Sequence, residues 1–190
     1  MTVPNDYLYK RDTLLDIWPI LLEGADVQRD KFLVLLGPSL QEVLLLRDLG
    51  VDPSRLVAVD KENPEMLDAS LAGWTYHMML SQAATRMPKV KAAHVDLCCA
   101  LAHKNDAEIY ALFNENVLED PARVCINLHK GHDEETALLC KYYGVERPAL
   151  VLDEIRGRGY DAEIIARDEY TNPRGATMYW TIFETRKETK

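Results

Sequence analysis

Apolar residues along this chain come in two rhythms, short unbroken runs and stripes at helical spacing, and the two alternate. Phe32 to Leu36 is a continuous apolar run ending at Gly37, as expected of a strand covered on both faces. Leu56 to Val59 is a second such run ending on Asp60, and Lys91 to Leu97 is a third strand candidate ending on Asp96. Arg123 to Leu128 gives a fourth strand. Tyr160 to Ala166 and Thr177 to Phe183 give the last two, joined across the polar loop Asn172-Pro173-Arg174-Gly175.

Helical stripes fill the intervals. Arg11 to Glu23 sets Leu14, Trp18, Leu21 and Leu22 near helical spacing ahead of Gly24, and Pro19 predicts a kink after Trp18 or a later start. Ser39 with Glu42 three residues on reads as a capping box, opening a helix that Gly50 and Pro53 stop. Asn63-Pro64-Glu65 reads as cap, first residue and dipole-matched acid of a long helix. Leu67, Leu71, Trp74 and Met78 would form its packing stripe, and Pro88 would close it. Further helices are expected from about Asp106, near Thr136 to Tyr143, and from about Pro148 to Arg156 before Gly157 and Gly159.

Alternating strands and helices imply an α/β fold: a doubly wound, mostly parallel sheet with right-handed crossovers, helices on both faces and an antiparallel C-terminal hairpin. Its ligand crevice is expected at the carboxyl ends of the strands. With 190 residues, 47% hydrophobic and 28% charged, the chain is expected to form one domain, 1–30 as a leader-helix region and 31–190 as the core. The apolar runs are far shorter than the roughly 20 residues of a membrane span, so no membrane partner and a cytoplasmic location are the expectation. A net charge of -9 weakens any case for gripping a phosphate backbone and favours a small molecule or a protein surface as partner over nucleic acid; oligomeric state is left open. Cys98, Cys99, Cys125 and Cys140 form no C-x-x-C pair and read as core thiols. His129 and His132 with Asp133, Glu134 and Glu135 have a spacing too unspecific for a metal site, and no metal is expected.

The segment FLVLLGPSLQEVLLLRDLG followed by RLVAVDKENPEM resembles the first two motifs of class I S-adenosylmethionine-dependent methyltransferases, a Rossmann-like family. The resemblance extends over roughly Phe32 to Arg186. It implies S-adenosylmethionine as cofactor, with Gly37, Pro38 and Ser39 in the turn that admits it and Asp60, beside Lys61, accepting from both ribose hydroxyls. Asp96, beside Leu97 at the end of the third strand, matches the acid that binds the adenine amine. Asn127-Leu128-His129, at the end of the fourth, matches residues facing the methyl group. His129 is then the candidate base, with Asn127 or Lys130 orienting the acceptor.

Three departures stand beside the resemblance. Gly37 is alone where the family turn carries two or three glycines; no Asn-Pro-Pro-Tyr-like tetrad follows the fourth strand; and six strands are counted where the family has seven, the shortage falling between the fourth strand and the hairpin. The expected function is methyl transfer to an unidentified acceptor. The alternative is a methyltransferase-like subunit that binds without catalysing, and a third reading is a nicotinamide-dependent enzyme, against which the sparse glycines and the hairpin both count.

Overall fold

The structure is a computed structural model. It describes residues 5–36, 40–99, 106–129, 140–141, 144, 146–171 and 177–188, with the backbone alone at 5–11, 97–99 and 129. The elements run α1 (Asn5–Leu22), β1 (Phe32–Leu35), α2 (Gln41–Asp48), β2 (Leu56–Val59), α3 (Pro64–Ser70), β3 (Trp74–Tyr76) and α4 (Leu80–Ala84). They continue β4 (Val90–Cys99), α5 (Asp106–Ile109), α6 (Ala111–Asn114), β5 (Leu118–His129), α7 (Arg147–Gly157), β6 (Tyr160–Thr171) and β7 (Thr177–Lys187). The strands form one seven-stranded sheet in the order β3-β2-β1-β4-β5-β7-β6. Strands β1 to β5 pair in parallel, and β7 enters antiparallel between β5 and β6.

Side-chain alternation sends each strand's residues to two cores. On one face Leu33, Val57, Ala93, Val124 and Phe183 meet α4 to α7; on the other Phe32, Ala58, Ala92, Cys125 and Ile182 meet α1, α2 and α3. Because β1 and β2 are covered on both sides, they read as unbroken apolar runs rather than alternating ones. In α1, Leu14, Ile17, Trp18 and Leu21 are buried at helical spacing. The later start expected from Pro19 does not occur, since one helix runs from Asn5 through Pro19 to Leu22. Pro19 is exposed, and so is Leu15, whose carbonyl the missing N–H would have served; water can satisfy it.

Two expectations are corrected here. The long helix from Asn63 to Pro88 ends at Ser70, where Leu71 takes a left-handed conformation with φ 55° and its side chain is exposed. Gly73 then passes so close to the preceding turn that a Cβ there would lie 2.1 Å from the Ser54 carbonyl oxygen, while its N–H donates to Pro53 O at 3.1 Å. Trp74 begins a strand instead of continuing a stripe. The seventh strand is therefore β3, between β2 and β4, and not a strand between the fourth and the hairpin. Consequently the strand ending near Asp96 is the fourth, and the strand ending in Asn127 to His129 is the fifth.

The capping-box reading is also revised at Glu42. The residue before α2 is Leu40, which offers no side-chain cap, and Glu42 turns into the core to meet Trp18 and His94. The helix expected near Thr136 to Tyr143 lies largely outside the described residues.

Candidate functional site

The carboxyl ends of β2, β1 and β4 lie side by side and define the edge where the sequence places its ligand. Leu36 N donates to Val59 O at 3.0 Å and Asp60 N to Tyr76 O at 3.1 Å, so the ladder continues through β1, β2 and β3 to the point where the chain leaves the sheet. Asp60 is 8% exposed. Its Oδ1 accepts from the backbone N–H groups of Glu62 at 2.6 Å and Asn63 at 2.9 Å, and Asn63 Nδ2 donates to Oδ2 at 3.1 Å. This turn fixes the carboxyl group, since a short acid can hold its own backbone two and three residues on. It also engages Oδ1, while Oδ2 accepts from Asn63 Nδ2. Lys61 is exposed and lies 3.6 Å from Glu62.

On the other side of β1, Asp96 is half-buried on β4 and aligned with Asn127 of β5. The ladder skips from Asp96↔Asn127 to Cys99↔Leu128, so β4 bulges at Leu97 and Cys98. Bulges of this kind re-aim side chains at sheet ends and are common beside functional sites. Asn127 is 2% exposed, within 3.5 Å of the Cys125 thiol, and paired in register with Trp180 of β7. The Cys125 thiol is pushed well up from its ordinary value by burial, with Asp96 and Glu42 adding to the effect, so it is an inert core group. His129 closes β5 opposite Met178.

Of the residues the sequence singles out, Asp60, Lys61, Asp96, Leu97, Asn127 and His129 therefore fall on one edge of the sheet, divided by β1 into a β2 side and a β4–β5 side. Gly37, Pro38, Ser39 and Lys130 lie outside the described residues, as do His132 to Glu135. Sequence reasoning missed the end of β3, where Tyr76 accepts from the Asp60 amide and the exposed His77 follows. Three half-buried or exposed residues after a glycine give no apolar run, so no signal marks that strand. It also missed a cavity of about 640 Å³ beside the end of β5, between the start of α7 and the hairpin, with Arg147, Arg167, Glu169, Tyr179 and Thr181 in its walls.

No protein-family model and no curated protein matches the chain. Solved structures do. A magnesium protoporphyrin IX methyltransferase from Synechocystis with bound SAH is similar at TM-score 0.61 and 13% identity, over 97% of this chain and 89% of that one. The Pyrococcus horikoshii protein TYW2 in complex with MeSAdo is similar at TM-score 0.57 and 12% identity, over 99% of this chain and 65% of that one. A putative transferase from the same organism gives TM-score 0.59 and 11% identity, over 99% and 66%. This chain thus spans just under two thirds of the length of those two Pyrococcus chains. With this strand order and hairpin, the chain has the class I methyltransferase fold.

Proposed function

We propose that this protein is an S-adenosylmethionine-dependent methyltransferase. The observation that carries the reading is Asp60: a fixed, nearly buried carboxyl group at the end of β2, beside β1, in a sheet of this order. The residues fit a ribose there, because a carboxylate oxygen has two lone pairs, and Oδ2, which accepts from Asn63 Nδ2, can accept from a hydroxyl as well. When bound, the cofactor supplies a methyl group on a positively charged sulfur, which is itself a good leaving group. Catalysis by the chain is then chiefly alignment.

The strand order supports two roles different from those the resemblance implies. The adenine side belongs to the end of β3, at Tyr76 and His77, because β3 neighbours β2 on the side away from β1. Asp96, on β4 across β1 from Asp60, moves from the adenine side to the methyl side, where it and Asn127 orient the acceptor. His129 accepts a proton where the acceptor must lose one, and the cavity beside β7 gives a small molecule or a protein side chain room to reach that edge. His129→Ala is expected to flatten the pH dependence of turnover.

Calorimetric titration with S-adenosylmethionine and with its demethylated product tests the reading before any acceptor is known. Saturable binding of both is expected. Absence of heat and of thermal stabilisation with either ligand sinks it. One observation favours the second reading, a subunit that no longer catalyses: Asp60 Oδ1 is engaged by two backbone amides and Oδ2 by Asn63 Nδ2, so both oxygens already accept within the turn. Transfer of labelled methyl from the cofactor to any acceptor by the purified protein removes that reading.

A further inference from the structure

Beneath the candidate site lies a polar cluster that neither the alignment of a methyl group nor a cofactor contact accounts for. Trp18 of α1, Glu42 in the first turn of α2 and His94 of β4 are 0%, 4% and 1% exposed. Trp18 Nε1 donates to Glu42 Oε1 at 2.8 Å, and His94 Nδ1 lies 2.6 Å from the same oxygen. The Trp18 and His94 rings meet edge to face, with centroids 6.4 Å apart. One carboxyl oxygen thus ties together three elements whose residues are 24 and 52 positions apart in the chain.

A buried acid between an indole and an imidazole is a costly substitute for apolar packing, so its geometry is what it offers. Glu42 lies in the first turn of α2, the helix that follows β1 in the chain, and His94 precedes Asp96 by two residues on the same face of β4. Trp18, by contrast, belongs to a helix that carries none of the assigned cofactor residues.

We infer that Glu42 is a positioning residue, a strut that holds the start of α2 against the end of β4, and that Trp18 makes the docking of α1 part of the cofactor site. The inference rests on the reading of the edge as a cofactor site. It gives the leader helix a function beyond covering the sheet: displacement of α1 loosens the site from below.

The test compares wild type, Trp18→Phe, Glu42→Gln, Glu42→Ala and Phe183→Leu by calorimetry with S-adenosylmethionine, by melting temperature, and by hydrogen exchange of the unliganded proteins. Trp18→Phe keeps the ring and removes the donor; it is expected to weaken binding about three- to tenfold, the size of one lost buried hydrogen bond transmitted to the ligand. Glu42→Ala is expected to weaken it at least as much. Glu42→Gln keeps an oxygen for both donors and should recover part of the loss. Phe183→Leu, which loosens the opposite core, should lower the melting temperature and leave the dissociation constant unchanged. Exchange in Trp18→Phe should quicken at residues 44–46 and 94–96 ahead of β6 and β7.

A Trp18→Phe protein that melts earlier but binds as wild type, with exchange raised evenly over the sheet, overturns the strut and makes the cluster ordinary packing. A wild type that takes up no S-adenosylmethionine overturns the cofactor reading instead. The exchange pattern then decides the strut alone, a rise confined to 44–46 and 94–96 upholding it and an even rise overturning it.

Discussion

On the proposed reading the Asp60 carboxyl group both holds its own turn and accepts from a ribose, and substitution separates the two. Asp60→Ala removes the acceptors of the Glu62 and Asn63 amides together with the oxygen offered to a ribose. Hydrogen bonds to a charged group contribute roughly 1.5 to 3 kcal/mol, so cofactor affinity should fall about one to two orders of magnitude. Melting temperature and dissociation constant measured on one preparation tell the duties apart: an earlier melt with unchanged affinity leaves Asp60 as a turn residue only. Gly73 makes a purely structural case at the same scale. A methyl group added there meets the Ser54 carbonyl at 2.1 Å, and that contact is with backbone, which cannot swing aside. Gly73→Ala is expected to cost about 1–3 kcal/mol, read as a lowered denaturant midpoint, through displacement of β3 from β2.

Among the elements, β5, β7 and α1 are cross-braced by Arg123. Its guanidinium donates to Glu184 Oε2 at 3.0 and 3.1 Å, to Glu23 at 2.8 Å and to the Ile20 carbonyl at 2.6 Å near the end of α1. The hydrogen bonds from Arg123 hold the Glu184 carboxyl below its ordinary value of 4.5, with Arg186 assisting and burial opposing. A carboxyl whose folded value is depressed adds stability that is complete above 4.5 and is lost as pH falls through the lower folded value. Glu184→Gln should therefore melt earlier than wild type at neutral pH and lose less on acidification below about pH 4.5, a convergence visible in melting temperatures across an acid series. Element identity was legible wherever local pattern and burial agreed. Phe32 to Leu35, Leu56 to Val59 and the helix before Gly157 follow directly from apolar spacing. The segment from Asn63 to Pro88 did not follow, because Leu71, Trp74 and Met78 mimic a helical stripe while Gly73 obeys a contact with Ser54 that no local spacing encodes.

For the whole molecule, the leader helix decides whether the sheet is covered. Leu14, Ile17, Trp18 and Leu21 are essentially fully buried against Phe32, Val34, Leu46 and their neighbours. At about 1.5–3 kcal/mol for each large apolar side chain, their burial is comparable with the whole net stability of a domain, about 5–15 kcal/mol. A chain lacking residues 1–23 is expected to aggregate on refolding, and elution as a compact monomer in size-exclusion chromatography would contradict that. Apolar periodicity and residue chemistry within a few positions were enough to set the class of fold, the cores of β1, β2, β4 and β5, the C-terminal hairpin, and Asp60 and Asp96 as acids at or near strand ends. Long-range contacts are what make β3 a strand, set Asp96 across β1 from Asp60, and bring Glu42 to Trp18 and His94. Strand order and buried polar pairing are set by contacts between residues tens of positions apart, and the energies that select them appear only when the sheet assembles.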